Sequence, residues 1–340
     1  MPGSKLSKAR SVALVQALDV FFYEAFQEEQ AALRRALKGT AIRAGFTPAA
    51  IQELDASQPM APLISIRTQS LIPEDWPGLI SGILTRSTGY DHVLDYRKRT
   101  GTDAPCGYLP LYCNRAVAEA SMLLWMALMR RLPRQIEYFQ AFNRDGLTGA
   151  ECAGKTLLVV GVGNIGSEVA RIGQGLGMRV LGVDLVRKHP DVAYVTLGEG
   201  LAAANVIVCA MNLTSSNHGF FHYERLKAAK SGAIFVNIAR GELSPSSDLM
   251  RLLDEGLLSG VGLDVFDHEI DLAATLRGAK PICHPQVEAA LKLARRDNVI
   301  LTPHNAFNTA EAVERKAEHS IRQIERFMAQ GDFLWQVPSE

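Results

Sequence analysis

The stretch LLVVGVGNIGSEVARIG, Leu157–Gly173, passes from an unbroken apolar run through three closely spaced glycines into a segment of helical periodicity. In a GxGxxG turn the first glycine permits the sharp exit from a strand, the second lets backbone approach a pyrophosphate, and the third lets the helix pack on the strand. Gly161, Gly163 and Gly166 occupy those places, and Asn164 and Ile165 open the helix whose amides and dipole would face the phosphates. The next apolar run, RVLGVD, ends in Asp184, near the offset of about 20 residues expected for an acid that binds a ribose 2′-hydroxyl. A carboxylate there repels a 2′-phosphate, so NAD is favoured over NADP, although the basic pair Arg187 and Lys188 offers a phosphate partner. A second glycine cluster, Gly173, Gly175 and Gly177, lacks the strand-to-helix setting and reads as a helix C-terminus.

Further runs of the same kind follow: NVIVCAM, AIFVNIA, GVGLDVF and NVILTPH, with helical patterns between most of them. They are rich in Val, Ile and Leu, as strands buried on both faces of a parallel sheet must be. An earlier alternation occupies the first hundred residues, with SVALVQA, a helical pattern from Phe21 to Leu37, TAIRAGF, AAIQELDA, PLISIRT and GLISGILT. Between the two lies a long helical pattern, Ala116 to Phe142, with Pro133 as its expected break, and Thr309 to Gln330 closes the chain as a helix. At 340 residues with 47% hydrophobic content, the chain can bury two cores. The expectation is an α/β protein of two Rossmann-like domains with parallel sheets.

Lys+Arg and Asp+Glu both number 36, so no global field draws the protein to nucleic acid or an anionic membrane. No segment reaches the roughly 18 uninterrupted apolar residues of a membrane span. The five cysteines include no CxxC pair and suit a reducing cytoplasm better than a disulfide framework. The N-terminal MPGSKLSKARSVALVQALDVFF has a basic start and a short apolar run, but Gln16 and Asp19 interrupt it and no small-residue cleavage site follows. His268 and His284 have no other ligand spaced for a metal site, and no metal is expected.

A dinucleotide fold does not specify a reaction, so the chemistry must come from residues past the later strands. FVNIARGEL places Arg240 there, GVGLDVFDHE places Asp264 and Glu269, and VILTPHNAF places His304. Hydride transfer from a 2-hydroxy acid needs a base for the hydroxyl proton, a fixed cation for the carboxylate and a group that tunes the base. These residues supply all three.

The arrangement resembles the D-isomer-specific 2-hydroxyacid dehydrogenase family over nearly the whole chain, through GVGNIG, VNIARGEL, GVGLDVFDHE and TPHNAFNTAEA, with RSTGYDHVLD and VAEASMLLWMALMR upstream. The resemblance implies that Arg240 pairs with the substrate's carboxylate and carbonyl, that His304 is the acid in 2-oxo acid reduction and the base in reverse, and that Glu269 orients the imidazole and favours its protonated form. It implies that Asp264 approaches the nicotinamide end of the cofactor. From the turn RSTG, Ser87, Thr88 and Gly89 would offer backbone amides to the carboxylate. It further implies a cofactor domain, 116–304, inserted into a discontinuous substrate domain, 1–115 and 305–340, and a homodimer formed through the cofactor domain and its long helix.

LPLYCNRAVAE and TPHNAFNT look most like the D-lactate dehydrogenase branch, in which the tyrosine corresponding to Tyr112 lies over the substrate side chain; Tyr112 serves equally well as a packing residue. HEIDL replaces the family's Glu-Pro after DVF, and SPSSD replaces the usual acid after Arg-Gly, so the pocket departs from the pattern. Glycerate or a larger aromatic or branched acid therefore stays open as the substrate. Formate is disfavoured, because formate dehydrogenases of this fold carry glutamine where Glu269 stands. Corepressors of the fold retain the same triad, so an NAD(H)-sensing binding protein is the alternative from another class. A methyltransferase with a similar glycine loop would leave the triad without a role.

Overall fold

The computed structural model describes residues 17–338, which fall into two compact units. Of these, the first comprises residues 17–86, His92–Gly107 and residues 320–338; the second comprises Ser87–Asp91 and Tyr108–His319. The chain thus passes between units at 107/108 and 319/320, with a short excursion at 87–91, where the sequence places the crossings near 115 and 305. Helix Ala310–Gln330 is continuous through the second crossing, so no loop marks it in the sequence.

The first unit holds a five-stranded parallel sheet of β1 (Val20–Phe22), β2 (Ala44–Phe46), β3 (Leu63–Ile66), β4 (Gly82–Thr85) and β5 (Cys106–Gly107), in the order β2-β1-β3-β4-β5. β1 lies partly inside the stretch expected to be helical from Phe21, and the helix begins only at Gln27. Val20, Phe21 and Phe22 are buried between two neighbouring strands, and that pairing overrides the local pattern. The strand expected at SVALVQA lies outside the described residues except for Ala17. AAIQELDA contributes only a short 3₁₀ turn, Ile51–Glu53.

Past β4, Arg86 is fully buried with Glu29, Nε to Oε1 at 2.9 Å. Its Nη1 donates to Ser65 Oγ at 3.0 Å and its Nη2 to the Tyr23 carbonyl at 2.7 Å. A buried charge is tolerated only when it is paired and hydrogen-bonded in this way. The arginine that opens RSTG is thereby committed to the core of its unit.

The second unit holds β6 (Thr156–Val160), β7 (Arg179–Val183), β8 (Ala193–Tyr194), β9 (Val206–Cys209), β10 (Ala233–Asn237), β11 (Leu258–Leu263) and β12 (Val299–Leu301). All pairs are parallel, in the order β12-β11-β10-β9-β6-β7-β8. The order reverses between β6 and β9, and ligands of open α/β sheets bind at the carboxyl ends of the strands beside such a switch. Helix Asn164–Gly175 follows β6 and closes at Gly177, whose φ of +71° supplies the left-handed residue of a helix end.

The long helical pattern is broken earlier than Pro133. One helix covers Asn114–Met129, Arg131 takes a left-handed φ of +53°, and a second helix runs Leu132–Tyr138 with Pro133 in its first turn. Proline lacks an N–H that the first turn does not use, so it starts a helix more readily than it bends one. A Cβ on Gly260 of β11 would meet Leu128 at 3.3 Å, and one on Gly262 would meet Leu124 at 3.1 Å, so helix Asn114–Met129 runs against the strand direction. Its N-terminus, with Tyr112 and Cys113 before it, therefore lies toward the carboxyl edge of the sheet. Among the described residues no helix is long and apolar enough to cross a membrane, and all five cysteines are free thiols.

Candidate active site

The glycine turn after β6 divides its three positions by physical need. Gly161 has φ +90°, and a Cβ on it would lie 2.6 Å from Met211 Cα and N; a Cβ on Gly166 would overlap the Gly161 carbonyl oxygen. A Cβ on Gly163 would meet nothing within 4 Å. Two glycines thus pack the turn, while the third borders open space. Gly163 is the N-cap of the helix that Asn164 and Ile165 begin, and no side chain caps it, so its first-turn amides have no side-chain acceptor. Asp184, just past β7, accepts from Val162 N at 2.6 Å through Oδ2 and from Val186 N at 3.0 Å through Oδ1. Each oxygen retains a lone pair for a hydroxyl donor. An open cradle, uncapped amides and a fixed carboxylate beside them fit a dinucleotide.

Past β10, the fully buried Asn237 organises the arginine turn. Its Oδ1 accepts from Ala239 N at 2.9 Å, and its Nδ2 donates to the Arg240 carbonyl at 2.8 Å and to Ser244 Oγ at 2.7 Å. Arg240 Nε donates to Asp91 Oδ1 at 3.0 Å and Nη1 to the Ala239 carbonyl at 2.9 Å, while Nη2 is buried with no hydrogen-bond partner. Burial opposes the guanidinium's charge, but Asp91, with Glu242 and Glu269 further off, more than offsets it and raises the pKa. Nη2 lies against Gly89, where a Cβ would overlap it. Burial also raises the pKa of neighbouring Glu242.

Past β11, Asp264 is 2% exposed and holds the segment around His304. Its Oδ1 accepts from Thr302 Oγ1 at 2.6 Å and Asn305 N at 2.8 Å, and its Oδ2 from Ala306 N at 2.9 Å. Burial raises its pKa against the opposing effect of these donors and of His304. Its backbone N donates to the Asn237 carbonyl at 3.0 Å, which ties the arginine and histidine turns together. His304 has φ +52°, and its Nδ1 lies 2.8 and 3.0 Å from the two oxygens of Glu269, the first residue of helix Glu269–Leu276.

The structure therefore pairs His304 with Glu269, brings Arg240 against Gly89, and puts Glu269 within electrostatic reach of Arg240. The hydroxyls of the RSTG turn serve the turn itself: Ser87 Oγ donates to the Gly89 carbonyl at 2.6 Å, and Thr88 Oγ1 to the Leu109 carbonyl at 3.2 Å. Tyr112 is 4% exposed, edge-on to Phe307 at 6.3 Å, and the Lys316 ammonium lies over both rings. Sequence reasoning missed Asn237 and Asp91. Asn237 lies inside the quoted VNIARGEL and Asp91 two residues past Gly89, and an apolar strand ending in asparagine was the available signal for the first.

The family model for the NAD-binding domain of D-isomer specific 2-hydroxyacid dehydrogenases matches residues 122–306. The chain is 30% identical over 264 residues to D-lactate dehydrogenase of Lactiplantibacillus plantarum, covering 76% of this chain and 78% of that protein. It is also 30% identical over 291 residues to glyoxylate reductase of Pyrococcus furiosus, covering 82% and 80%. A crystal structure of D-lactate dehydrogenase from Aquifex aeolicus, complexed with NAD and lactic acid, superposes with a TM-score of 0.82 at 30% identity, over 94% of this chain and 100% of that one. The chain belongs to the D-isomer specific 2-hydroxyacid dehydrogenases, a family of NAD-binding oxidoreductases.

Proposed function

We propose that the protein reduces a small 2-oxo acid to the D-2-hydroxy acid with NADH, with D-lactate or a similarly small acid as the product. The observation that carries this reading is Arg240, whose buried Nη2 is left without an acceptor against the Gly89 backbone while its other nitrogens are engaged. An orphaned buried donor costs about 1–3 kcal/mol, which a substrate carboxylate would recover. D-lactate dehydrogenase and glyoxylate reductase relatives point to a short side chain.

In this reading Arg240 anchors the carboxylate, with the backbone of Ser87, Thr88 and Gly89 beside it. Glu269 holds Nδ1 of His304, so Nε2 faces the reacting oxygen, giving it a proton in reduction and taking it back in oxidation. NADH supplies the hydride. Asp264 acts as a positioning residue that fixes the turn on either side of His304, and Tyr112 with Phe307 forms an apolar wall for the substrate side chain. Gly161, Gly163, Asn164, Ile165, Gly166 and Asp184 hold the dinucleotide, the Asp184 carboxylate disfavouring NADP; Arg187 is placed over the Tyr194 ring, 5.9 Å from its centroid.

The second unit is the cofactor domain and the first the substrate domain. Leu123, Ile136, Phe139 and Phe142 are 62–74% exposed along the long helix and the segment after it, an apolar face that a second copy would cover in a homodimer. Five free thiols suit the cytoplasm. The test is NADH oxidation against pyruvate, glyoxylate, 2-oxobutyrate, phenylpyruvate, 2-oxoisocaproate and hydroxypyruvate, with Arg240→Ala alongside. Fast turnover of a small acid that Arg240→Ala abolishes is expected, and unchanged turnover in the variant would refute the assignment.

A further inference from the structure

Glu269 reaches His304 from the first position of helix Glu269–Leu276, and that helix is thinly anchored: of its eight residues only Leu272 is buried. The residue before it, His268, has a φ of +55°, a left-handed conformation that glycine adopts freely and that strains a residue with a Cβ. Histidine in that place offers one thing glycine lacks, its ring. The ring lies on that of His284, with centroids 3.5 Å apart and planes 27° from parallel. The carboxylates of Asp267 and Asp271 each stand 3.7 Å from a ring nitrogen of His268, beyond hydrogen-bond distance, and Asp271 is also 3.6 Å from the Lys280 ammonium. The close contact of His268 is therefore made by the face of its ring and not by its edge.

His284 is fixed in turn from the core side. Its Nδ1 accepts from Gln286 N at 3.2 Å, a bond that caps helix Pro285–Leu293. The Gln286 amide clasps Ser247, its Oε1 accepting from Ser247 N at 3.1 Å and its Nε2 donating to Ser247 Oγ at 3.0 Å. Ser247 belongs to helix Ser246–Asp254, whose Leu252 shares a core with Leu293 of the capped helix. Contacts thus run unbroken from that core through Gln286, His284 and His268 to Glu269, and across the 2.8 Å bond to His304.

From this path we infer that His268 and His284 are positioning residues for the acid–base pair: their stacked rings anchor the amino end of the Glu269 helix, so that Glu269 stays on Nδ1 of His304 and Nε2 stays free to face the substrate oxygen. The inference rests on the reading of His304 as the residue that transfers the proton.

The test compares His268→Gly, His284→Asn and His284→Phe in the full chain by steady-state NADH oxidation with the 2-oxo acid reduced fastest, by thermal unfolding, and by nitrogen-15 NMR of the histidine rings where they are neutral, with His304→Gln to assign the His304 signals. Glycine relieves the left-handed strain, so His268→Gly should unfold at the wild-type Tm or above it. It should nevertheless lose about tenfold in kcat, a part of the roughly 10²–10⁴-fold that a well-placed general acid supplies, while KM stays within about twofold because Arg240 holds the carboxylate. Asparagine at 284 keeps an acceptor for Gln286 N without the stack and should lose kcat likewise. Phenylalanine keeps a flat ring without the acceptor, and kcat should stay within about twofold of wild type. The His304 ring should be protonated on Nδ1 in the wild type and in His284→Phe, and should be a mixture of tautomers in the other two variants. Unchanged kcat and tautomer in His268→Gly or His284→Asn, a loss confined to KM, or an equal loss in His284→Phe overturns the inference. If the wild type reduces none of the acids, the proposed function fails instead, and the tautomer comparison still decides whether the stack places Glu269.

Discussion

Substituting Gly89 by alanine tests the arginine's placement without touching the arginine. The Gly89 backbone does not need a positive φ, so alanine is conformationally admissible there. Its Cβ, however, would overlap Arg240 Nη2, stand 2.5 Å from Cζ and 3.1 Å from Asp91 Oδ1. Ordinary contact begins at 3.4 Å, so the guanidinium must retreat by about 1 Å at Cζ and by more at Nη2, stretching the bond from Nε to Asp91. A misplacement of about 1 Å in a positioning group costs roughly 10²-fold in rate, equivalent to about 2.7 kcal/mol of transition-state stabilisation. We expect kcat/KM for the 2-oxo acid to fall about 10²-fold in Gly89→Ala, with the protein still folded and cooperative on heating. The assay is steady-state NADH oxidation for wild type, Gly89→Ala, Arg240→Ala and the double variant. If the two residues act through one contact, Gly89→Ala costs almost nothing more once Arg240 is gone. Additive losses, or a single variant within threefold of wild type, would refute the reasoning.

The glycine turn predicts two opposite outcomes for one chemical change. Gly163→Ala should fold with near wild-type Tm yet bind NADH at least tenfold more weakly by fluorescence titration, because its Cβ enters the open cradle; Gly166→Ala should lose about 2 kcal/mol or more of stability in urea, because its Cβ strikes the Gly161 carbonyl. The cysteines predict a pH signature. Burial pushes the Cys209 thiol up to about 12 and that of Cys106 to about 11 from an ordinary 9.0, so at pH 8 a thiol reagent should modify exposed Cys283 rapidly and leave these two untouched until the chain unfolds. Because the unfolded state ionises first, Cys209 makes stability fall as pH rises from about 9 toward 12; prompt modification of both buried thiols in the folded protein would contradict their burial.

The site was legible in the sequence to the extent that its chemistry depends on short local patterns. Gly161, Gly163 and Gly166 fall on one strand-to-helix turn, and Arg240, Asp264 and His304 each follow an apolar run that becomes β10, β11 or β12. Strands buried on both faces of a parallel sheet announce themselves as unbroken Val/Ile/Leu runs, and the residues just beyond them reach the carboxyl edge by topology alone. The two-residue strands β5 and β8 carry no such run, and β1 was hidden at the start of a helical pattern.

What the chain's order of residues determined by itself was the parallel α/β class, the glycine turn and the positions of the candidate site residues past the later strands, since each follows from periodicity and spacing within a few dozen positions. Tertiary structure alone decided which of those residues meet. Asp91 and Arg240 are 149 positions apart, Asp264 and Ala306 are 42 apart, and Arg86 and Glu29 are 57 apart. No periodicity links such pairs; they are joined by strand order and by the requirement that every buried charge and amide find a partner. That requirement separates Asp264, committed to holding the His304 turn, from Arg240, whose buried Nη2 is left without a partner.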